Sequence, residues 1–223
     1  MKAMILSAGF GTRLKPITDT IPKALVPYKG KPLIVHQIQK LKSLNSINID
    51  EIIVNIHHHK EKIKEFFEQN DFKVKVTISD EEEILGTGGG ILNSEKYLKD
   101  DSHFLVMNVD IISDIDIEKF IQSHSEENLA TLAVQKRKTS RYLEFDSNMN
   151  LVKRQNDNSK EQNLYAFNGM HIISNKIFDL GLTTEFCDVI NIYLDAINKG
   201  FVVKGYNSGD VTFKDIGKIE NLE

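Results

Sequence analysis

The chain has 223 residues, 40% of them hydrophobic, and a formal net charge of −4 with an isoelectric point near 6.0. A chain of this length can bury a sizeable core, whereas its acidic balance argues against a nucleic-acid partner, which would require a basic face. A single cysteine excludes an internal disulfide, and the lack of a signal peptide or of an apolar run near ~18 residues predicts a cytoplasmic protein with no membrane partner.

The first predicted element is a strand over residues 4–6 that runs into a glycine loop, GFGTR. Gly9 and Gly11 allow the backbone to approach an anion closely, so that amide N–H groups can point at phosphate oxygens. Arg13 in the loop and Lys23 after it add positive charge. The segment therefore predicts a binding site for a nucleoside triphosphate.

Two better-known phosphate motifs do not fit this segment. The dinucleotide fingerprint needs a third glycine where this chain has Leu14, and a helix where it has Pro16 and Pro22. No GK[ST] follows a glycine at the spacing of a Walker motif. The loop thus disfavours an NAD-dependent oxidoreductase and a P-loop protein.

The longer string AGFGTRLKPITDTIPKALVPYKGKPL closely resembles the signature of the sugar-1-phosphate nucleotidyltransferases, GxGTRLxPxT followed by PKxLxPxxGxP. The resemblance implies an enzyme that joins a nucleoside triphosphate and a sugar 1-phosphate, with Mg²⁺ as cofactor. It implies catalytic roles for Arg13 and Lys23. The nucleotide-binding residues that it implies in this segment are Ala8, Gly9, Gly11, Thr12, Arg13 and Lys23.

Four further strands are predicted where apolar runs are bounded by turn residues. They cover residues 52–56, 74–78, 104–107 and 129–134. Between the earlier strands, apolar residues recur at helical spacing after Pro32 and around residues 63–67. This alternation predicts an α/β fold, a three-layer Rossmann-like and mainly parallel sheet with helices on both faces.

A second glycine-rich stretch, LGTGGG at residues 85–90, precedes a helical pattern. A loop with so few side chains can lie against a flat base, and the start of the helix favours phosphate. A flexible connector is the simpler alternative. The stretch also resembles the base-contacting loop of the family, and on that resemblance Gly86, Thr87 and Gly88 are assigned to the nucleotide.

Two aspartates follow short apolar runs in distant parts of the chain. Asp110 ends HFLVMNVD, beyond a predicted strand, where open α/β sheets bind ligands, and Asp215 lies in VTFKDIG. A lone aspartate in such a position is more simply a turn or cap residue. Relatives carry NGD or NAD and DVGT at these points, and the resemblance implies that both aspartates hold Mg²⁺, with Asp110 also catalytic. Two carboxylates suit this hard cation, which completes its shell with water and phosphate.

After residue 134 the pattern changes to shorter strands, some antiparallel, and one helix over residues 184–199. We predict a single domain, 1–223, with a nucleotide-binding half over about residues 1–130 and a small antiparallel sugar-binding half over about 131–223. Asn168 and Gly169 interrupt the apolar strand LYAFNGMHII, which marks an approaching ligand, a bulge or a core asparagine. The family has a similar element that contacts the sugar, so the predicted sugar-binding residues are Asn108, Asn168 and Gly169.

The basic stretch QKRKTSRY, which contains Arg137, is predicted to be the solvated face of a hairpin. If the sugar carries a second acid, as muramic acid does, Arg141 or Arg154 is available to pair with it.

Within the family, the short length, the GTGGG stretch and the DIGK ending resemble the small uridylyltransferases that make UDP-N-acetylmuramate from N-acetylmuramate 1-phosphate in cell-wall recycling. UTP is therefore the favoured nucleotide. Mannose- or heptose-1-phosphate guanylyltransferases are the close alternative. A regulator that binds nucleotide sugars without catalysis is an alternative of another class, disfavoured because the cationic and acidic site residues occur together. We expect a monomer or a small homo-oligomer.

Overall fold

A computed structural model of the protein describes residues 1–155 and 163–222, which form thirteen strands and six α-helices. The strands are β1 (Lys2–Leu6), β2 (Pro27–Tyr28), β3 (Lys31–Pro32), β4 (Glu51–Ile56), β5 (Lys75–Asp80), β6 (His103–Asn108), β7 (Ile111–Ser113), β8 (Asn128–Gln135), β9 (Tyr142–Phe145), β10 (Leu151–Gln155), β11 (Leu164–Ser174), β12 (Val202–Asn207) and β13 (Phe213–Asp215). The helices are α1 (Leu33–Lys42), α2 (Lys60–Gln69), α3 (Gly86–Asn93), α4 (Glu95–Leu98), α5 (Ile117–Gln122) and α6 (Val189–Asn198). None of these helices is long and apolar enough to cross a bilayer.

Nine of the described strands form one mixed sheet. In its amino-terminal part, β1 lies between β6 and β4, and β4 pairs with β5, all in parallel. In its carboxy-terminal part, β11 runs antiparallel to β6, β8 and β9. The α/β fold predicted from the sequence, a mainly parallel sheet with an antiparallel extension, is confirmed.

Helices cover both faces of this sheet. Successive side chains of a strand point to opposite faces, so one strand can pack against helices on both sides. Ala3 and Ile5 of β1 pack into a core cluster with residues of α1, α2 and α5, whereas Met4 and Leu6 pack into a second cluster with residues of α3, α4 and α6. The central strands β1, β4 and β6 are therefore buried on both sides, and residues at their carboxyl ends line a cavity.

Strand pairing brings residues that are distant in sequence together at those carboxyl ends. Leu6 and Asn108 are register partners at the ends of β1 and β6. Beyond them, β7 and β13 form a separate two-stranded ribbon in which Asp215 lies opposite Ile111. The amide of Ile216 donates to the carbonyl of Asp110 at 2.8 Å. The ribbon thus joins the chain near residue 110 to the chain near residue 215.

The helix predicted over residues 184–199 begins later than expected. It starts at Val189, because Asp188 caps it by accepting a hydrogen bond from the amide of Ile190 at 3.0 Å. The residues before the cap pair instead with the start of α3: Cys187 donates to the carbonyl of Leu85 at 3.0 Å. The prediction for residues 184–188 was therefore wrong.

The glycine loop predicted at residues 86–90 was also wrong, since these residues form the first turns of α3. Glycine is a poor helix former, but here close packing requires it. A Cβ atom on Gly89 would lie 2.1 Å from the carbonyl oxygen of Glu185, and one on Gly90 would lie 2.7 Å from Asn55 and Glu81 side-chain atoms. Tertiary contacts have overridden the local preference.

We expect Gly89→Ala to lower the free energy of unfolding by about 1–3 kcal/mol, as overpacking of a tight contact does. This expected loss already includes the gain of roughly 0.5–1 kcal/mol that alanine brings to a helix interior, because a clash with a backbone oxygen costs as much as the upper end of the usual range or more. Gly9→Ala is the control, because no atom lies within 4 Å of its Cβ position. Urea denaturation of both variants measures the difference, and a Gly89→Ala protein as stable as the parent would contradict the packing described.

Candidate active site

A buried chain of hydrogen bonds connects the amino-terminal loop to α3. The Ser7 amide donates to Oδ1 of Asn55 at 2.8 Å, and the Asn55 amide group donates to Glu81 at 2.7 Å. Glu81 also accepts from the amide of Leu85 at 3.0 Å. Burial raises the pKa of the Glu81 carboxyl, against the effect of these donors. Both segments predicted to bind nucleotide are therefore held by one polar network.

A cavity of about 270 Å³ lies between these two segments. Six of the predicted nucleotide-binding residues line it: Ala8, Gly9, Arg13, Lys23, Gly86 and Thr87. The other three do not line it. Gly11 turns the loop with a φ of 65°, Thr12 is exposed, and Gly88 packs against Cys187, whose carbonyl accepts its amide at 2.9 Å.

Four charged side chains converge at one edge of this cavity. Lys23 forms an ion pair with Asp110, and Arg13 forms one with Asp215 at 3.1 Å. A Cβ atom on Gly217 would lie 2.7 Å from Oδ2 of Asp110, 2.8 Å from Oδ1 of Asp215 and 2.7 Å from Nη2 of Arg13, so both carboxylates and the Arg13 guanidinium reach the same small volume. The structure thus brings together the two cations and the two acids that are far apart in sequence.

The donor set at this point fits Mg²⁺. Two carboxylates approach one position, and Gly217 has no side chain to fill the space between them. Within residues 1–155 and 163–222, no group of three or more His, Cys, Asp or Glu side chains is arranged to hold a metal ion. The protein would therefore supply two hard oxygen ligands and leave the remaining positions to water and phosphate, as is common for Mg²⁺.

The electrostatic environment keeps Asp215 charged. Burial acts to raise the pKa of this carboxyl, but the Gly217 amide at 2.8 Å and the Arg13 guanidinium together hold it below its usual range. The carboxylate is therefore available as an anion at neutral pH.

A larger cavity of about 470 Å³ adjoins the first, and Leu6, Thr87 and Asn108 line both. Asp215 and Gly169 also line the larger cavity. Of the three predicted sugar-binding residues, Asn108 and Gly169 thus face it. Asn168 does not: it is buried, donates to Ser208 at 3.1 Å and accepts from Arg137 at 3.3 Å.

The basic stretch after β8 is not the wholly solvated face that was predicted. Arg137 is half-buried in the wall of the larger cavity, and Arg141 and Arg154 also line it. Arg154 is paired with Asp188 at 2.8 Å. Phe213 of the distant strand β13 contacts Arg137 and holds it inward. The sequence around Arg137 does not indicate this contact.

His171 lies in the wall of the larger cavity and contacts Tyr193 behind it, with 2.6 Å between Nδ1 and the hydroxyl oxygen. Burial lowers the pKa of His171 to about 3 and raises that of Tyr193 well above its ordinary value, so both groups are neutral. We assign the hydroxyl as donor to Nδ1, which puts the ring proton on Nε2.

This buried imidazole predicts a pH dependence of stability. In the unfolded chain His171 takes up a proton near pH 6.5, whereas in the folded chain it stays neutral until about pH 3, so the free energy of unfolding falls as the pH drops below 6.5. We expect His171→Gln to remove up to about 1.4 kcal/mol per pH unit of this slope. Urea denaturation at several pH values between 4.5 and 6.5 measures it, and parallel profiles for parent and variant would contradict it.

Several residues of the site were not identified from sequence. Asn55 lies near the end of β4 and Glu81 directly follows β5, as ordinary polar residues would, and only the network shows their role. Gln37 of α1 is buried and donates to the carbonyls of Val109 and Ile111 at 3.2 and 2.8 Å, which fixes the backbone on each side of Asp110. A polar residue at a core position of a helical pattern is the signal that reveals Gln37.

The fold, the glycine loop and the paired acids are those expected for the enzyme family that the amino-terminal signature resembles. Residues 2–222 match the family model described as nucleotidyl transferase. The chain belongs to this family, as its amino-terminal signature predicted.

Proteins from several organisms are similar to this chain. The bifunctional protein GlmU of Methanocaldococcus jannaschii is 33% identical over 182 residues, which cover 81% of this chain and 41% of that protein. The probable mannose-1-phosphate guanylyltransferase 2 of Arabidopsis thaliana is 41% identical over 132 residues, which cover 56% of this chain and 35% of that protein. The chain therefore spans less than half the length of these curated relatives. HddC from Yersinia pseudotuberculosis, solved in complex with GMP-PN, has a TM-score of 0.76 and 26% identity, with 99% of this chain and 96% of that chain covered.

Proposed function

We propose that this protein is a sugar-1-phosphate nucleotidyltransferase, which joins a nucleoside triphosphate to a sugar 1-phosphate and releases pyrophosphate. The observation that carries the proposal is the cluster of Arg13, Lys23, Asp110 and Asp215 where two cavities share a wall. We assign the smaller cavity, in the half over about residues 1–130, to the nucleotide and the larger, mainly from the half over about 131–223, to the sugar. Two substrates bound in this way meet at the charged cluster.

In the proposed reaction an oxygen of the sugar phosphate attacks the α-phosphorus of the triphosphate. A new phosphorus–oxygen bond forms, the bond from the α-phosphorus to the bridging oxygen breaks, and pyrophosphate leaves with the electron pair. The attacking oxygen is already an anion, so the protein need not supply a nucleophile or a strong base. Catalysis then rests on alignment and on neutralising negative charge.

The two cations divide this task. Lys23, which is mostly buried beside Asp110, is assigned to the α-phosphoryl group, and the more exposed Arg13 is assigned to the outgoing pyrophosphate. When bound to Asp110 and Asp215, Mg²⁺ would neutralise charge on the reacting phosphates. The ion pairs also hold Arg13 and Lys23 at the cleft before substrate arrives.

For the nucleotide we propose GTP. The Arabidopsis relative is named a mannose-1-phosphate guanylyltransferase, and HddC was solved with GMP-PN. Mannose 1-phosphate is accordingly the first sugar phosphate to test. The combination of UTP with N-acetylmuramate 1-phosphate stays a prediction from the sequence and is the second pair to test.

A pyrophosphate-release assay with Mg²⁺ tests the proposal. We would combine GTP, UTP, CTP and dTTP with mannose, heptose, glucose and N-acetylmuramate 1-phosphates, and identify the nucleotide sugar by mass spectrometry. Release that requires both substrates is the expected result, with Asp110→Asn as the inactive control. A protein that binds a nucleotide sugar but releases no pyrophosphate with any pair would instead be a regulator.

A further inference from the structure

Arg137 is held rigidly in the wall of the larger cavity. Its Nη2 donates to the carbonyl of Phe167 at 2.8 Å, and its Nε donates to the Asn168 side chain at 3.3 Å. Its guanidinium lies 3.7 Å from the ring centroid of Phe213, a stacked arrangement. These contacts fix the plane of the guanidinium.

Among residues 1–155 and 163–222, no ion pair compensates the charge of Arg137. Within the described parts of the chain no carboxylate lies within 4.0 Å of it, whereas Arg154 in the same wall is paired with Asp188 and the nearby Lys218 is paired with Glu220. Its hydrogen-bond partners, a carbonyl and an amide, are neutral. A half-buried guanidinium whose acceptors in the described residues are neutral, and whose plane is fixed, is suited to bind an oxyanion.

The position of Arg137 indicates which anion it binds. Phe213, on which it stacks, lies two residues before Asp215 in β13. Arg137, Phe213 and Asp215 all line the larger cavity. The guanidinium therefore lies towards the acidic pair, where the proposed reaction puts the phosphate of the sugar substrate.

We propose that Arg137 binds the phosphate group of the sugar 1-phosphate, and that Asn168 is a positioning residue that fixes the guanidinium from behind. The inference rests on the proposed function. It also gives Asn168 a role without direct contact with the sugar, in keeping with its burial.

Steady-state kinetics with the active substrate pair provide the first test. Arg137→Met keeps an apolar stem against Phe213 but removes the charge. We expect KM for the sugar 1-phosphate to rise about 10–100-fold, which is the effect of losing charged hydrogen bonds. KM for the nucleotide should change little. Arg137→Lys should recover only part of this loss, because lysine lacks the planar fork. Lys138→Met is the matched control: it changes the next residue, which is exposed and lines neither cavity.

Asn168→Ala separates positioning from contact. We expect a smaller rise in KM for the sugar 1-phosphate in the parent background and almost none in the Arg137→Met background, because Asn168 acts through Arg137. An equal rise in both backgrounds would overturn the positioning role. Urea denaturation of each variant identifies any general loss of folding.

A binding experiment keeps this inference distinguishable from the proposed function. Calorimetric titrations would use mannose 1-phosphate, mannose and free N-acetylmuramate, which carries a carboxylate but no phosphate. We expect only mannose 1-phosphate to lose affinity in Arg137→Met, even if the parent turns over no substrate pair. Unchanged mannose 1-phosphate affinity, or a loss confined to N-acetylmuramate, would overturn the assignment to phosphate.

Discussion

Lys23→Ala is expected to lower kcat by about 10²–10³-fold, the usual effect of removing one group that stabilises developing charge. Of the two ion pairs in the charged cluster, Lys23–Asp110 is the less exposed, with side-chain exposures of 16% for Lys23 and 10% for Asp110. Because Lys23 acts on the reacting phosphates in the proposed mechanism, kcat and kcat/KM should fall together. Pyrophosphate release with the active substrate pair measures both.

The control for this variant is Lys15→Ala. Lys15 lies in the same proline-rich segment, but it pairs with Asp19 at the surface and lines neither cavity. Removing Lys23 also leaves Asp110 without its partner, which lowers stability. Circular dichroism and urea denaturation therefore accompany the kinetics, and a folded Lys23→Ala protein with near-normal kcat would exclude the proposed role.

Asp110→Asn is the second substitution with a large expected effect. The amide side chain would retain the shape of the carboxylate but not its charge. Mutating a residue that only hydrogen-bonds to a metal ligand typically lowers metal affinity about 10–100-fold, so we expect the loss of the ligand Asp110 itself to lower divalent-cation affinity by at least this much. Electron paramagnetic resonance of Mn²⁺ in the presence of nucleotide measures this affinity independently of turnover. Activity should fall in parallel, and EDTA should abolish it in the parent protein.

Asp116→Asn is a suitable control for this measurement. Asp116 caps α5 by accepting from the amide of Lys119, a role that asparagine fills equally well. This variant should therefore bind Mn²⁺ as the parent does. If Asp110→Asn also binds Mn²⁺ like the parent, the two aspartates Asp110 and Asp215 do not form the cation site.

The parts of the site that are continuous in sequence were the most predictable. The glycine loop, Arg13 and Lys23 lie within one short string, and the structure puts both cations in the same cavity. The alternation of strand and helical patterns was enough for the α/β fold, because burial on both faces of the parallel strands requires it.

Long-range packing accounts for what the sequence did not predict. The helix that begins at Gly86 needs glycine at positions 89 and 90 because Glu185 and Asn55 approach them closely, and neither contact leaves a local signal. Arg137 is drawn inward by Phe213, a residue 76 positions later. In the same way, the closeness of Asp110 and Asp215 was inferred from a family resemblance, since no periodicity predicts the β7–β13 ribbon.

That ribbon has a consequence for biosynthesis. The parallel strands β1, β4, β5 and β6 all lie within the first half of the chain and can pair while the rest is still being made on the ribosome. Asp215 reaches Asp110 only when β13, the last strand described, pairs with β7 through three residue positions. A nascent chain can thus pair its parallel strands early and remain without the second acid of the charged cluster until the region of β13 has been translated.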